Sequence, residues 1–199
     1  MHQSVHASAL FLCMLGGLGQ TQPDIRTLYA QLSQPTTTNA AAREIRDLTS
    51  KDSTARQFVA QRIPSLISGR ANADAVWMNA VRLAGQLKVT SAIPALKQAL
   101  SRGEIRGGYD YEGAAISFAE FAQLRYDIVG RALADIGDPS VPTVADVLSR
   151  GDAPTRKRAF FILSNINSPA AMQAIRDHLP NEADPAIKSV IQNYLHISE

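Results

Sequence analysis

Arg131-Ala132-Leu133-Ala134-Asp135-Ile136-Gly137-Asp138-Pro139-Ser140-Val141-Pro142-Thr143-Val144 is the stretch that decides the architecture. Ala132, Leu133 and Ile136 fall at helical spacing, and Gly137-Asp138-Pro139 makes a tight turn. Pro142 then stands in the first turn of a new helix, where its missing N–H would have had no intrahelical partner. The phrase is an apolar helix, a turn and a second apolar helix, and it recurs. Val81-Arg82-Leu83-Ala84-Gly85-Gln86-Leu87 runs into Ser91-Ala92-Ile93-Pro94-Ala95-Leu96. Arg158-Ala159-Phe160-Phe161-Ile162-Leu163-Ser164-Asn165-Ile166 runs into Asn167-Ser168-Pro169-Ala170-Ala171-Met172. Recurrence at some tens of residues is the mark of a solenoid, whose units bury their apolar faces only against their neighbours.

Working outward, the same periodicity predicts helices over residues 23–32 and 39–48, the second with Ala42, Ile45 and Leu48 inward and Asn39 as its cap. Lys51-Asp52-Ser53 turns the chain into a helix through Ile67, which Pro64 is expected to kink or break. Asp74 caps a helix to Leu87 with Val76, Trp77, Ala80, Val81 and Ala84 inward, and a partner follows over 91–101. Gly103, Gly107, Gly108 and Gly113 make 102–113 a loop. A helix over 114–136, broken once, resumes the pattern. Helices over 139–150, 154–166, 169–179 and 185–197 follow, the last with Ile187, Val190, Ile191, Tyr194 and Leu195 for docking. No strand alternation is visible.

With these residues in view, the phrase Arg-x-x-Ala-x-x-x-Leu/Ile-Gly-Asp-Pro followed by apolar-Pro-x-apolar resembles HEAT repeats, closest to the short units of the phycobilisome-lyase type. Residues 131–148 match best, 74–101 carry Lys88-Val89-Thr90 in place of Gly-Asp-Pro, 154–179 match in part, and 23–68 match by helix-pair periodicity alone. The resemblance implies an all-α, right-handed α-solenoid of stacked antiparallel helix pairs. It also implies a scaffold or binding surface in which Gly and Pro shape the turns.

Composition and charge agree with a helical domain and exclude little else. Aromatic residues are 6% of the 199, and Lys plus Arg (20) nearly balance Asp plus Glu (18), for a net charge of +2. That balance makes nucleic acid an unexpected partner. Residues 1–100 nonetheless lean basic and 101–199 acidic, so the first half could attract an acidic partner, over about 8 Å in physiological salt; ordinary solvated helix faces are the preferred reading.

Residues 9–19 form an uncharged apolar run too short to span a bilayer. The run sits where the core of an export signal would sit, with Gly17 and Gly19 ahead of Gln20. Residues 1–19 are therefore expected to be a signal peptide and 20–199 a single solenoid domain. That makes the mature protein periplasmic or secreted, and cytoplasmic if the run is instead an N-terminal helix. His2 and His6, rather than Lys or Arg, precede the run, and Leu12 before Cys13 does not suit lipidation.

No motif for catalysis stands out. His178 and His196 lie in no converging ligand spacing and are expected at helix surfaces. Trp77 is expected in the core, and Arg156-Lys157-Arg158 is expected to be a solvated helix start, although it could meet a phosphate or an acidic partner. Tyr109, Asp110 and Tyr111 supply amphipathic contact area in the Gly-rich loop, which is either a binding loop or a solvated insertion. In HEAT-like arrays the second helices of successive pairs line one face. There Lys97, Gln98, Asp146, Arg150, Gln173, Arg176 and Asp177 are expected to read a partner. The expectation is a monomeric, non-enzymatic protein-interaction scaffold without cofactor or metal; the alternative is a helical-repeat enzyme of the bilin-lyase or DNA-repair type.

Overall fold

Short polar side chains start the helices where the sequence places them. In the computed structural model, which describes residues 24–69, 72–101 and 127–197, the Asp52 carboxylate accepts from the Thr54 and Ala55 N–H groups at 2.8 and 3.0 Å. Asp127 accepts from Gly130 N–H, Asp152 from Thr155 N–H and the Ser168 hydroxyl from Ala171 N–H. Each satisfies a donor that the first helical turn leaves unpaired. Among the described residues there are ten α-helices and no strand. They are α1 (Ile25–Leu32), α2 (Thr38–Thr49), α3 (Ser53–Ser68), α4 (Asp74–Gln86), α5 (Ile93–Ser101), α6 (Ile128–Ile136), α7 (Val141–Arg150), α8 (Ala153–Ile166), α9 (Pro169–His178) and α10 (Pro185–Ile197). Short 3-10 turns over Thr90–Ala92 and Asp138–Ser140 lead into α5 and α7.

Alternate helices touch. α2 packs on α4, α4 on α6 and α6 on α8, while α3 packs on α5, α5 on α7 and α7 on α9. α1 covers α2 and α3 at one end, and α10 docks on α8 at the other. The buried apolar residues form one cluster from Leu28 to Leu195, so no helix pair owns a private core. Trp77 lies inside it at 1% exposure and donates its indole N–H to the Ile67 carbonyl at 3.1 Å, which meets the need of a buried Trp for a polar partner. The α4–α6 approach is close: a Cβ on Gly85 would lie 2.8 Å from the Cα of Ala132.

Three expectations need correction. First, α2 buries Thr38, Ala41, Ile45 and Thr49, with Ala42 and Leu48 only half-buried, and Thr37 rather than Asn39 precedes it. The two threonines tolerate the core because Thr49 donates to the Ile45 carbonyl and Thr38 accepts from Asn79.

Second, α3 runs unbroken past Pro64. Proline lacks the N–H that would bond the Ala60 carbonyl, and the Ser91 hydroxyl, brought in from the turn before α5, donates to that carbonyl at 3.1 Å.

Third, Asp74 is the first residue of α4 rather than its cap, which is Ala73. α6 begins only after its Asp127 cap; the remainder of the expected 114–136 helix, and the 102–113 loop, lie outside the described residues.

Candidate functional site

Because Leu96, Ala99 and Leu100 turn inward on α5, Lys97 and Gln98 are left on its outer side. On α7, Val144, Val147 and Leu148 turn inward and leave Asp146 and Arg150 outside. The packing of α5 on α7 then brings three of the sequence-selected residues together. The Lys97 ammonium lies 2.7 Å from one Asp146 oxygen and the Arg150 guanidinium 3.0 Å from the other. The Lys97 hydrogen bond, opposed by partial burial and aided by the Arg150 and Lys97 charges, holds the Asp146 carboxyl below its ordinary range. These groups border a cavity of about 280 Å³ that Ser101, Asp152 and Thr155 also line.

On α9, which packs against α7, Gln173 donates to Asp177 at 2.7 Å and Arg176 is exposed. Tyr109, Asp110 and Tyr111 lie outside the described residues. The selected residues of α5, α7 and α9 thus lie outward, and their carboxylates are engaged among themselves: Asp146 by two cations and Asp177 by an amide.

Two buried ionic clusters correct the reading of His178 and of Arg156-Lys157-Arg158 as surface groups. Arg158 is only 4% exposed and donates through Nε and Nη2 to both Asp127 oxygens, at 2.8 and 3.0 Å, and through Nη1 to the Leu100 carbonyl. It thereby joins α8, the cap of α6 and the end of α5. Arg156 grips both Glu182 oxygens at 2.7 and 3.0 Å, and the imidazole Nε2 of the buried His178 lies 2.8 Å from the same carboxylate. The Asp184 N–H supplies a further donor.

Burial pushes the Glu182 carboxyl up. The hydrogen bonds from Arg156, His178 and the Asp184 N–H, with the Arg156 charge, outweigh it and hold the group at about 2. A carboxylate so fully engaged is a poor general base, and the cluster reads as a cross-link between α8, α9 and the turn before α10. A local signal existed, since His178 and Glu182 stand four apart at a helix end; the pairings of Arg156 with Glu182 and of Arg158 with Asp127 are remote in sequence.

A surface that sequence reasoning missed lies on the other run of helices. Asn39, Arg43 and Arg46 of α2 and Asn79, Arg82 and Gln86 of α4 line a groove of about 270 Å³. A broader depression of about 620 Å³ on α1 and α3 also holds arginines, but Arg62 there is committed, stacked 3.8 Å over the Phe58 ring and bonded to the Phe58 carbonyl. Among the described residues no three His, Cys, Asp or Glu side chains converge as a metal site would require, and no helix is long and apolar enough to cross a membrane. Compared with protein-family models, curated proteins and solved structures, the chain gives no match.

Proposed function

We propose that this chain is a non-enzymatic protein-binding module, built as a right-handed array of stacked antiparallel helix pairs of the HEAT kind. The observation that supports it is the contact order: α2, α4, α6 and α8 touch in succession, and so do α3, α5, α7 and α9. Two such runs over one continuous core leave polar side chains exposed along α5, α7 and α9, and extended faces are what repeat arrays offer to other proteins. In this reading the α5–α7–α9 face, with Lys97, Gln98, Asp146, Arg150, Gln173, Arg176 and Asp177, is the partner surface, and Tyr109, Asp110 and Tyr111 add contact area to the same partner. The module acts as a monomer and is exported when residues 1–19 serve as a leader.

The test is affinity capture with the full chain from envelope and cytosolic extracts, repeated with Lys97→Ala/Arg150→Ala/Arg176→Ala. A specific protein retained by the native chain and lost by the variant is the expected result. Full retention of that protein by a folded variant would overturn the assignment of the face.

A further inference from the structure

We infer that the groove between α2 and α4 binds the carboxylates of an acidic segment of a partner protein. It concerns the run of helices other than the one bearing Lys97 and Arg150, and it stands whether or not that face binds anything.

One stripe of each helix lines the groove. Asn39, Arg43 and Arg46 are spaced i, i+4, i+7 along α2, and Asn79, Arg82 and Gln86 are spaced i, i+3, i+7 along α4. The floor is built. Asn79 is 7% exposed and donates its amide to the Asn39 side-chain oxygen at 2.8 Å and to the Thr38 hydroxyl at 3.2 Å. Those bonds fix the separation of the two walls.

Three guanidinium groups and no carboxylate line this cavity. The acids on α2 are Asp47, which stands 3.7 Å from Arg46 with both side chains largely solvated, and Glu44, which forms no ion pair with a described residue. Arg43 and Arg82 likewise form none.

The Arg131 copy of the recurring phrase offers a contrast. Arg82-Leu83-Ala84-Gly85-Gln86-Leu87 aligns with Arg131-Ala132-Leu133-Ala134-Asp135-Ile136. Arg131 is answered by Asp135 at 3.0 Å, whereas the same place beside Arg82 holds the neutral Gln86. Facing cations without counter-ions repel one another, and an incoming oxyanion relieves that repulsion. Guanidinium forks match carboxylates in two-point geometry, and the Gln86 amide adds a further donor.

An acidic protein segment fits better than a nucleic acid. A polyanionic backbone calls for cations along a track of many phosphates. Here the cations sit in one cavity, Glu44 and Asp47 lie on the same helix, and the whole chain carries a net charge of only +2.

The experiment titrates the full chain into a fluorescein-labelled glutamate-rich peptide at low salt and reads anisotropy, with a single-stranded oligonucleotide as a parallel probe. Saturable peptide binding that weakens with added salt is expected. Arg43→Gln/Arg82→Gln should weaken it about tenfold or more, and Arg43→Lys/Arg82→Lys, which keeps the charge but loses the fork, by an intermediate amount. Arg131→Gln/Lys188→Gln removes two cations elsewhere and should weaken it less than about twofold. All four substituted groups are outside the core, so unchanged thermal unfolding shows that the fold is intact. Absence of saturable peptide binding, or equal losses in the two Gln variants, would overturn the inference. So would tighter binding of the oligonucleotide through Arg43 and Arg82.

Discussion

Replacing Glu182 by Gln should make the chain's stability less sensitive to acid, by an amount set by the cluster around that residue. Glu182 is 3% exposed and held at about 2 against an ordinary 4.5. A depression of that size corresponds to about 3 kcal/mol of folding free energy. The sign follows from the lower pKa in the folded state: the unfolded chain takes up the proton first. The contribution is complete above about pH 5, about 2 kcal/mol of it is gone by about pH 3, and all of it is lost below about pH 2. Glu182→Gln keeps the shape and one acceptor but leaves Arg156 and His178 without their anion, so the variant should be less stable at neutral pH by about 3 kcal/mol.

Urea unfolding followed by the fluorescence of Trp77, the only tryptophan, measures both chains across that pH range. The gap between them should close by about 2 kcal/mol from about pH 5 to about pH 3. A gap that stays constant with pH would refute the assignment of a strongly stabilised carboxylate to this cluster.

Asp127→Ala or Arg158→Met alone leaves a buried charge unpaired and should cost about 3–5 kcal/mol in urea melts, with the double variant much closer to wild type than the sum; additive losses would exclude coupling. Gly85→Ala places a methyl group 2.8 Å from the Ala132 backbone and should cost about 1–3 kcal/mol, because backbone cannot step aside as a side-chain tip can; a neutral result would contradict the close α4–α6 approach. Lys97→Gln should raise the Asp146 pKa read by NMR, since the Lys97 hydrogen bond is the largest cause of its depression; an unmoved titration would show that the two do not meet in solution.

The helices were legible from the sequence because both of their determinants are local. Apolar periodicity chose the inward residues of α4, α5 and α10, and Asp, Ser and Pro at helix starts chose the boundaries within a residue or two. Trp77 was read as core for the same reason, since Val76, Ala80 and Val81 share its stripe. The selected outer face was legible too, since whatever is not inward on α5, α7 and α9 must face out.

Pairing was not legible, because it depends on which remote segment arrives. Pro64 signals a broken helix to anyone reading locally, and only the Ser91 hydroxyl, from a turn that docks on α3, supplies the bond that lets α3 continue. Arg156 and Arg158 look like a solvated basic start, yet their carboxylates, Glu182 and Asp127, come from 26 and 31 residues away. Arg43 and Arg82 are unremarkable along the chain and become a groove only where α2 meets α4. Sequence by itself determined that the described residues fold as helices without strands and which side of each helix is apolar, since a helix carries its own periodicity. Tertiary structure alone decided which charges are consumed and which remain open, because Coulomb and hydrogen-bond partners are set by distance in space, not along the chain.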